Sequence, residues 1–363
     1  MFCVKFLRTV GIFSVMKVWQ LTSPKQLERV TVPNLELTKD KVKVKVTKAL
    51  LTETDVAVYS GAIKVKAPFI PGKFAIGQVT EANEDSFVTK GTRVYLATVT
   101  EDKTAAGELQ IAGETIDGFY RDFVLMNTKD VYPLPPSVSD DAAFLIDSIA
   151  LSEHVVDALN VKAGQRILVL GGGLVANVLC QVLIYHNAVP ILADNNAERL
   201  ARARRCGIHY TFANDETLKK NIMNVTGSET ADPLTQNVAN ATGGTLADGA
   251  VYLDSNNRCE PSVIFPLVKR DACVAFCSTA GKSLSIDLEY MMKNNISVKG
   301  ISESRKYIAT AINLLANKVI TFSEFPFKMH NEEALPTLMK QYMEQYGGNG
   351  MFPEQFDVVK FIF

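Results

Sequence analysis

The sequence lacks the features that announce several functions at a glance. Its six cysteines (3, 180, 206, 259, 273 and 277) are scattered, with no C-x-x-C pair and no framework spacing. Free thiols in a reducing cytoplasm are therefore expected rather than a disulfide scaffold. Neither charge sign is in excess: 38 Lys and Arg against 39 Asp and Glu leave a net charge of −1. That balance offers no electrostatic footprint for nucleic acid or for an anionic membrane. No apolar run approaches the ~20 residues that span a bilayer, and there is no internal repeat. The opening MFCVKFLRTVGIFSV carries Lys5 and Arg8 before a short apolar run. The run is brief and has no convincing small-residue cleavage site, so residues 1–15 read as an N-terminal extension rather than a signal peptide.

What is present suits two domains, since 363 residues exceed the usual size of one hydrophobic core. From Lys17 to Val131 the pattern is short and strand-like. KVKVKVTKA alternates strictly, and AIGQVTEA, TRVYLATV and GFYRDFVLM follow between polar turns. After LPPSVSD the character changes: Ser139 with Asp140 and Asp141 marks a helix start, and AAFLIDSIALSEHVVDAL continues with helical spacing. RILVLGGGLVANVLCQVLIYHNAVPILADNN then reads as strand, glycine turn, helix and strand, one βαβ unit. HYTFA, AVYLDS, ACVAFCS and ISVKGI supply further strands. The expected fold is α/β: a Rossmann doubly wound parallel sheet over 158–300, and a β-rich domain formed by 1–157 with the returning tail 301–363.

Gly171, Gly172 and Gly173, followed by Leu174, Val175 and Ala176, fit G-x-G-x-x-[G/A] at the end of a strand and the start of a helix. Gly171 permits the tight turn and Gly173 lets the backbone approach a pyrophosphate. The N–H groups of Leu174 and Val175 face the anion at a helix N-terminus. Asp194, at the next strand end, would accept hydrogen bonds from ribose hydroxyls and repel a 2′-phosphate, which favours NAD(H) over NADP(H). Asn195 beside it, with Ser255 and Ser278 at the ends of AVYLDS and ACVAFCS, completes the expected cofactor set. Arg199, Arg202 and Arg204 leave NADP(H) open. The alternative is a plain glycine-rich turn with Asp194 as a helix cap.

The order of these motifs resembles the medium-chain dehydrogenase/reductase family. ALLTETDVAVYSG is similar to its segment carrying the first metal ligand, PFIPGKFAIGQV to its Gly-His-Glu segment, and TKGTRVYL, DGFYRDFVLM, VKAGQRILVLGGG and ISVKGISESR to its other landmarks. Within the family, DGFYRDFVLMNTKDVYPLP, VWQLTSPKQLERV and GISESR are loosely similar to ribitol-5-phosphate dehydrogenases. The resemblance implies a GroES-like catalytic domain, a Rossmann domain, an active-site cleft between them, a small-molecule substrate and a homo-dimer. It also exposes departures. The family's ligand Cys falls on Thr52, its His-Glu pair on Lys73 and Phe74, and its remaining acidic ligand on Asp147. A zinc site needs three or four Cys, His or carboxylate ligands, so no zinc is expected.

A metal-free carbonyl site needs another source of electrostatic stabilisation. Lys73, an ammonium at a former ligand position and held by Asp147, is the candidate. Thr54 occupies the family's proton-relay place, and Tyr59 offers a second hydroxyl. Ser302 and Arg305, after the last Rossmann strand, could grip a substrate phosphate. The bland readings stand beside these: a solvated Lys73, a capping Thr54, a core Tyr59, a packed His154, and a helix start at Ser302–Arg305. Three functions follow. The first is a zinc-independent NAD(H)-dependent oxidoreductase of a small carbonyl or alcohol, including a polyol or sugar phosphate. The second is a zinc-free quinone or enoyl reductase, and the third a non-catalytic NAD(H)-binding protein.

Overall fold

The computed structural model describes residues 15–103, 107, 109–213, 246–253, 261–277, 284–346 and 355–361. In chain order, β1 (Val15–Ser23) and β2 (Gln26–Pro33) form a hairpin, followed by β3 (Lys41–Leu50), α1 (Glu53–Ser60), β4 (Phe74–Ala82) and β5 (Arg93–Leu96). A second hairpin, β6 (Val99–Lys103) and β7 (Leu109–Ile111), leads to β8 (Phe123–Asn127) and β9 (Val131–Pro133). Next come α2 (Asp140–Ala143), α3 (Ile146–Leu159), β10 (Arg166–Leu170), α4 (Leu174–Tyr185), β11 (Val189–Asp194), α5 (Ala197–Arg205) and β12 (Tyr210–Ala213). β13 (Ala247–Tyr252), β14 (Val268–Phe276), α6 (Leu288–Asn294), β15 (Ser297–Gly300) and α7 (Ile308–Ala316) continue the chain. β16 (Phe327–Asn331), α8 (Leu335–Tyr346) and β17 (Phe356–Lys360) close it.

The contacts divide the chain into two compact units. One is Met1–Pro133 with Met329–Gly347 and Val358–Phe363; the other is Leu134–Lys328 with Gly348–Asp357. The division expected after residues 157 and 300 therefore falls elsewhere. The reason is packing: α3 lies against α4, α7 and β14, so α3 and α7 join the second unit. The helix expected from Ser139 onward is also broken. Ser139 caps α2 by accepting from Ala142 N at 3.1 Å, and the chain restarts as α3 after Leu145.

The first unit is organised by β3, whose alternation buries Val42, Val44 and Val46 completely. Lys43 keeps its stem in the core and reaches out to Glu81 Oε1 at 3.0 Å. β3 pairs antiparallel with β4, β8 and β17, in a seven-stranded sheet that includes β16, β5 and β9. The returning segment is tied in by polar contacts as well. Trp19 Nε1 donates to Glu332 Oε2 at 3.1 Å, and Arg29 Nη2 meets Glu332 Oε1 at 2.9 Å.

The second unit holds a six-stranded sheet in the order β12-β11-β10-β13-β14-β15, every adjacent pair parallel. Counted within the unit this is 3-2-1-4-5-6, the doubly wound dinucleotide-binding order. Its central strands are continuously apolar because both faces are covered; Leu168, Leu170, Ile191, Ala193, Ala250 and Val274 are all fully buried. The order reverses between β10 and β13. The glycine turn follows β10, so it stands at the switch point where such sheets bind ligands.

Candidate functional site

Each glycine of the turn after β10 does different work. Gly171 has φ +108°, a conformation L-residues rarely adopt, and its N–H donates to Ala193 O at 2.9 Å. Gly172 has no room for a side chain: a Cβ there would lie 2.8 Å from Asp194 Cβ. Its N–H donates to Asp194 Oδ2 at 2.6 Å. Gly173 precedes α4 as its N-cap, and a Cβ there would meet nothing within 4 Å. The outer side of the turn is thus open where a pyrophosphate would rest. The first turn of α4 has no acidic residue and no side-chain cap, which leaves the N–H groups of Leu174 and Val175 oriented for an anion. Ala176 is buried and keeps the helix close to the sheet.

Asp194 is buried at the end of β11, and besides Gly172 it accepts from Asn196 N at 2.6 Å. The cap of α5 is Asn196, whose Oδ1 accepts from Glu198 N and Arg199 N at 2.9 and 3.2 Å. Asp194 instead braces the glycine turn. Arg199 Nη1 lies 3.4 Å from Asp194 Oδ2. Arg202 sits over the Phe325 ring, 5.1 Å from its centre, with burial pulling its guanidinium below the usual range. Arg204 Nε donates to Thr211 Oγ1 at 2.6 Å. Asn195 occupies the bend between Asp194 and Asn196. Ser255 and Ser278 lie outside the described residues.

In the first unit, Thr52, the position matched to the ligand Cys, belongs to a hydrogen-bonded polar core. Thr52 caps α1 in a reciprocal capping box with Asp55. Asp55 is fully buried. Its Oδ2 accepts from Thr52 N, Thr52 Oγ1 and Tyr120 OH at 2.9, 2.7 and 3.1 Å, and its Oδ1 from Gly72 N at 2.9 Å. Burial pushes the Asp55 carboxyl above its ordinary 3.8, and the hydrogen bonds oppose that. Burial and the neighbouring Asp55 push the Tyr120 phenol well up. The carboxylate fixes the turn before Lys73: Gly72 has φ +108°, and a Cβ on it would lie 2.7 Å from Tyr120.

Lys73 is only 7% exposed, so it is not a solvated surface charge. Its Nζ lies 3.5 Å from Glu114 Oε2 and 5.7 Å from the centre of the Phe74 ring. Sequence reasoning missed Asp55, Tyr120 and Glu114. The capping-box spacing of Thr52 and Asp55 was a usable signal; nothing local marked Glu114. Thr54 is half-buried, one residue before Asp55. Tyr59 is buried where α1 packs on α8, and burial followed by Glu344 raises its phenol. Its carbonyl accepts from Lys25 N at 2.8 Å. That is a packing role.

The other candidates belong to the second unit. Asp147 stands half-buried in the first turn of α3. His154 Nδ1 lies 3.0 Å from Ser302 O, and its ring stacks on Tyr307 at 5.7 Å. Ser304 Oγ accepts from Lys306 N, starting the single turn Arg305–Tyr307 that leads into α7. Arg305 therefore starts that turn, and Ser302 lies in the coil before its cap.

These residues do not fit a zinc ion. Thr52 is spent on its cap, Lys73 is a cation paired with Glu114, and Phe74 has no donor atom. Among the described residues no group of three or more His, Cys, Asp or Glu is placed to hold a metal. No helix among them is long and apolar enough to cross a membrane.

Residues 38–136 match the alcohol dehydrogenase GroES-like domain. A sorbitol dehydrogenase of Halalkalibacterium halodurans is 24% identical over 209 residues, 53% of this chain and 61% of its own length. The chain thus spans about three fifths of that curated relative. Two solved structures share the fold at 18% identity and a TM-score of 0.77. They are the alcohol dehydrogenase RspB of Escherichia coli with NADH, covering 96% of this chain and 100% of its own, and a Sinorhizobium meliloti dehydrogenase with NADP, covering 96% and 99%. The chain thus matches the GroES-like domain of alcohol dehydrogenases over residues 38–136, carries a 3-2-1-4-5-6 parallel sheet in its second unit, and shares its fold with these dehydrogenases.

Proposed function

We propose that the protein is a zinc-independent, NAD(H)-dependent oxidoreductase acting on a small carbonyl or alcohol, with Lys73 in place of the metal. The observation that carries this reading is the burial of Lys73 on a turn pinned by Asp55. A bound nicotinamide supplies or takes up the hydride. The open side of Gly173 and the first turn of α4 hold the pyrophosphate, and Asp194 receives the ribose hydroxyls. Lys73 donates a proton to the carbonyl oxygen as the alcohol forms, and takes it back in the reverse direction. Glu114 keeps the ammonium in place from one side.

A polyol or sugar phosphate is the substrate class favoured here, in line with the sorbitol dehydrogenase relative. NADH is favoured over NADPH because Asp194 is held facing the glycine turn. Arg199 beside it softens that preference. We place the protein in the cytoplasm, where its free thiols stay reduced; burial raises Cys277 to about 12.

The deciding experiment is an NADH-consumption screen with chelator present, over aldehydes, ketoses, sugar phosphates and enones. Turnover of a carbonyl substrate, lost in Lys73→Met, supports the proposal. Turnover of enones alone would make the protein an enoyl-type reductase. NADH binding without any turnover would make it a binder.

A further inference from the structure

The first unit contains a cavity of about 130 Å³, walled by residues of β6, β7 and β8 and their neighbours, including Lys41, Thr100, Asp102, Gln110, Arg121 and Asn127. At roughly 30 Å³ per water it has room for about four waters, or a ligand of five or six heavy atoms. Most of its polar groups are already satisfied. Asn127 Nδ2 bridges Asp102 Oδ2 and Asp130 Oδ2 at 2.8 and 3.2 Å. Thr100 Oγ1 donates to Asp102 O at 3.2 Å and lies 3.5 Å from Gln110 Oε1. Asp117 Oδ1 accepts from Ile70 N at 2.9 Å.

Arg121 is the exception. Its Nε is buried with no hydrogen-bond partner, and its Nη2 has only a long contact, 3.5 Å, to the Asp117 carbonyl. Burial pulls its guanidinium down to about 10, opposed by Asp117. A guanidinium with open donors inside a wall calls for an acceptor, and carboxylate is the acceptor whose geometry matches its fork. Asp102 and Asp117 stand exposed among the lining residues. They would repel a multiply charged oxyanion and would attract a hydrogen-bond donor.

We infer that this cavity is a second ligand site, for a small monocarboxylate with a hydroxyl or ammonium on the carbon next to the carboxylate. The carboxylate goes to Arg121 and the donor group to Asp102. Occupancy has a direct route to the proposed catalytic turn, because residues 117–121 also hold it. Gly118 N, Tyr120 N and Phe119 N donate to Ile70 O, Pro71 O and Gly72 O at 2.6, 3.0 and 2.8 Å. The site stands on its own geometry and is independent of the chemistry assigned to Lys73.

The test is calorimetric titration of the full-length protein, without nucleotide, using L-lactate, L-alanine and inorganic phosphate in separate arms. Lactate, alanine or both are expected to bind at millimolar concentration, and phosphate not. The arm that binds tells hydroxy acid from amino acid. Arg121→Met should weaken binding by about 10-fold or more. Gln110→Trp, which fills the cavity and leaves Arg121 intact, should abolish it and covers the case in which Arg121→Met fails to fold. No binding of either carboxylate to the wild-type protein would overturn the inference and leave the cavity to water. So would phosphate binding in preference, or binding that survives Gln110→Trp.

Discussion

The ammonium of Lys73 lies 3.5 Å from the Glu114 carboxylate, although 41 residues separate them in the chain. Glu114 is the more exposed partner, with 30% of its side chain accessible against 9% for Lys73. If Lys73 is the proton donor, Lys73→Met lowers kcat/KM by about 10²- to 10⁴-fold, the usual worth of a positioned acid. Glu114→Gln keeps the volume and removes the charge that holds the ammonium, so it should lower kcat more than it changes KM. Chelator should change neither rate, and metal analysis should find no stoichiometric zinc. Steady-state kinetics of the two variants, with and without chelator, checks the first three expectations, and metal analysis the fourth.

Asp55 gives the fold a pH signature. Its carboxyl is raised above 3.8, chiefly by burial, so the folded protein holds that proton more tightly than the unfolded chain. Its contribution to stability is complete below pH 3.8 and is lost as pH rises through the raised folded value. Asp55→Asn removes that part of the pH dependence. It also sets an amide N–H₂ against donors from Thr52, Tyr120 or Gly72, at a cost of about 1–3 kcal/mol. Urea denaturation of both proteins from acid to neutral pH measures the slope and the offset together.

The glycine turn separates cofactor binding from folding. Gly173→Ala meets no neighbour and keeps an ordinary φ of −66°, so stability should stay within about 0.5 kcal/mol while NADH affinity falls about 10-fold or more. Gly172→Ala drives a methyl into Asp194 and should cost about 1–3 kcal/mol. Titration with NADH and NADPH alongside thermal melting resolves the pair. NADH should bind the wild-type protein more tightly, and Asp194→Ala should narrow the difference.

Among the described residues no strand pairs with the outer edge of β15, and just before it α6 exposes Leu288 (71%) and Met292 (81%) one turn apart. An uncovered edge with apolar neighbours is suited to pairing with a second copy. A dimer is the expected assembly, and Met292→Glu should shift sedimentation toward the monomer while leaving the melting of the second unit intact.

Legibility in the sequence followed the range of the interactions. RILVL and VPILAD read as buried parallel strands because their own composition says so, and Gly171 to Val175 read as an anion turn because the spacing is local. The strict alternation of β3 was equally plain. The split between units was not, since it depends on α3 packing against α7, some 150 residues later. The same limit applied to the site. Lys73 could be named from its place in a motif, but its burial and its pairing with Glu114 are tertiary facts. Asp55 was the exception: its capping spacing with Thr52 was in view, yet only the fold shows its bonds to Tyr120 and Gly72.

β17 completes the first unit by pairing Val358, Val359 and Lys360 with Leu50, Ala49 and Lys48, the stretch that runs directly into Thr52 and α1. A ribosome therefore makes the partner of this strand more than three hundred residues after the strand itself. Until that partner is made, the Lys48–Leu50 stretch of β3 lacks its pairing on this side. Removing residues 356–360 would therefore strike the stretch that leads into Thr52 and the capped start of α1.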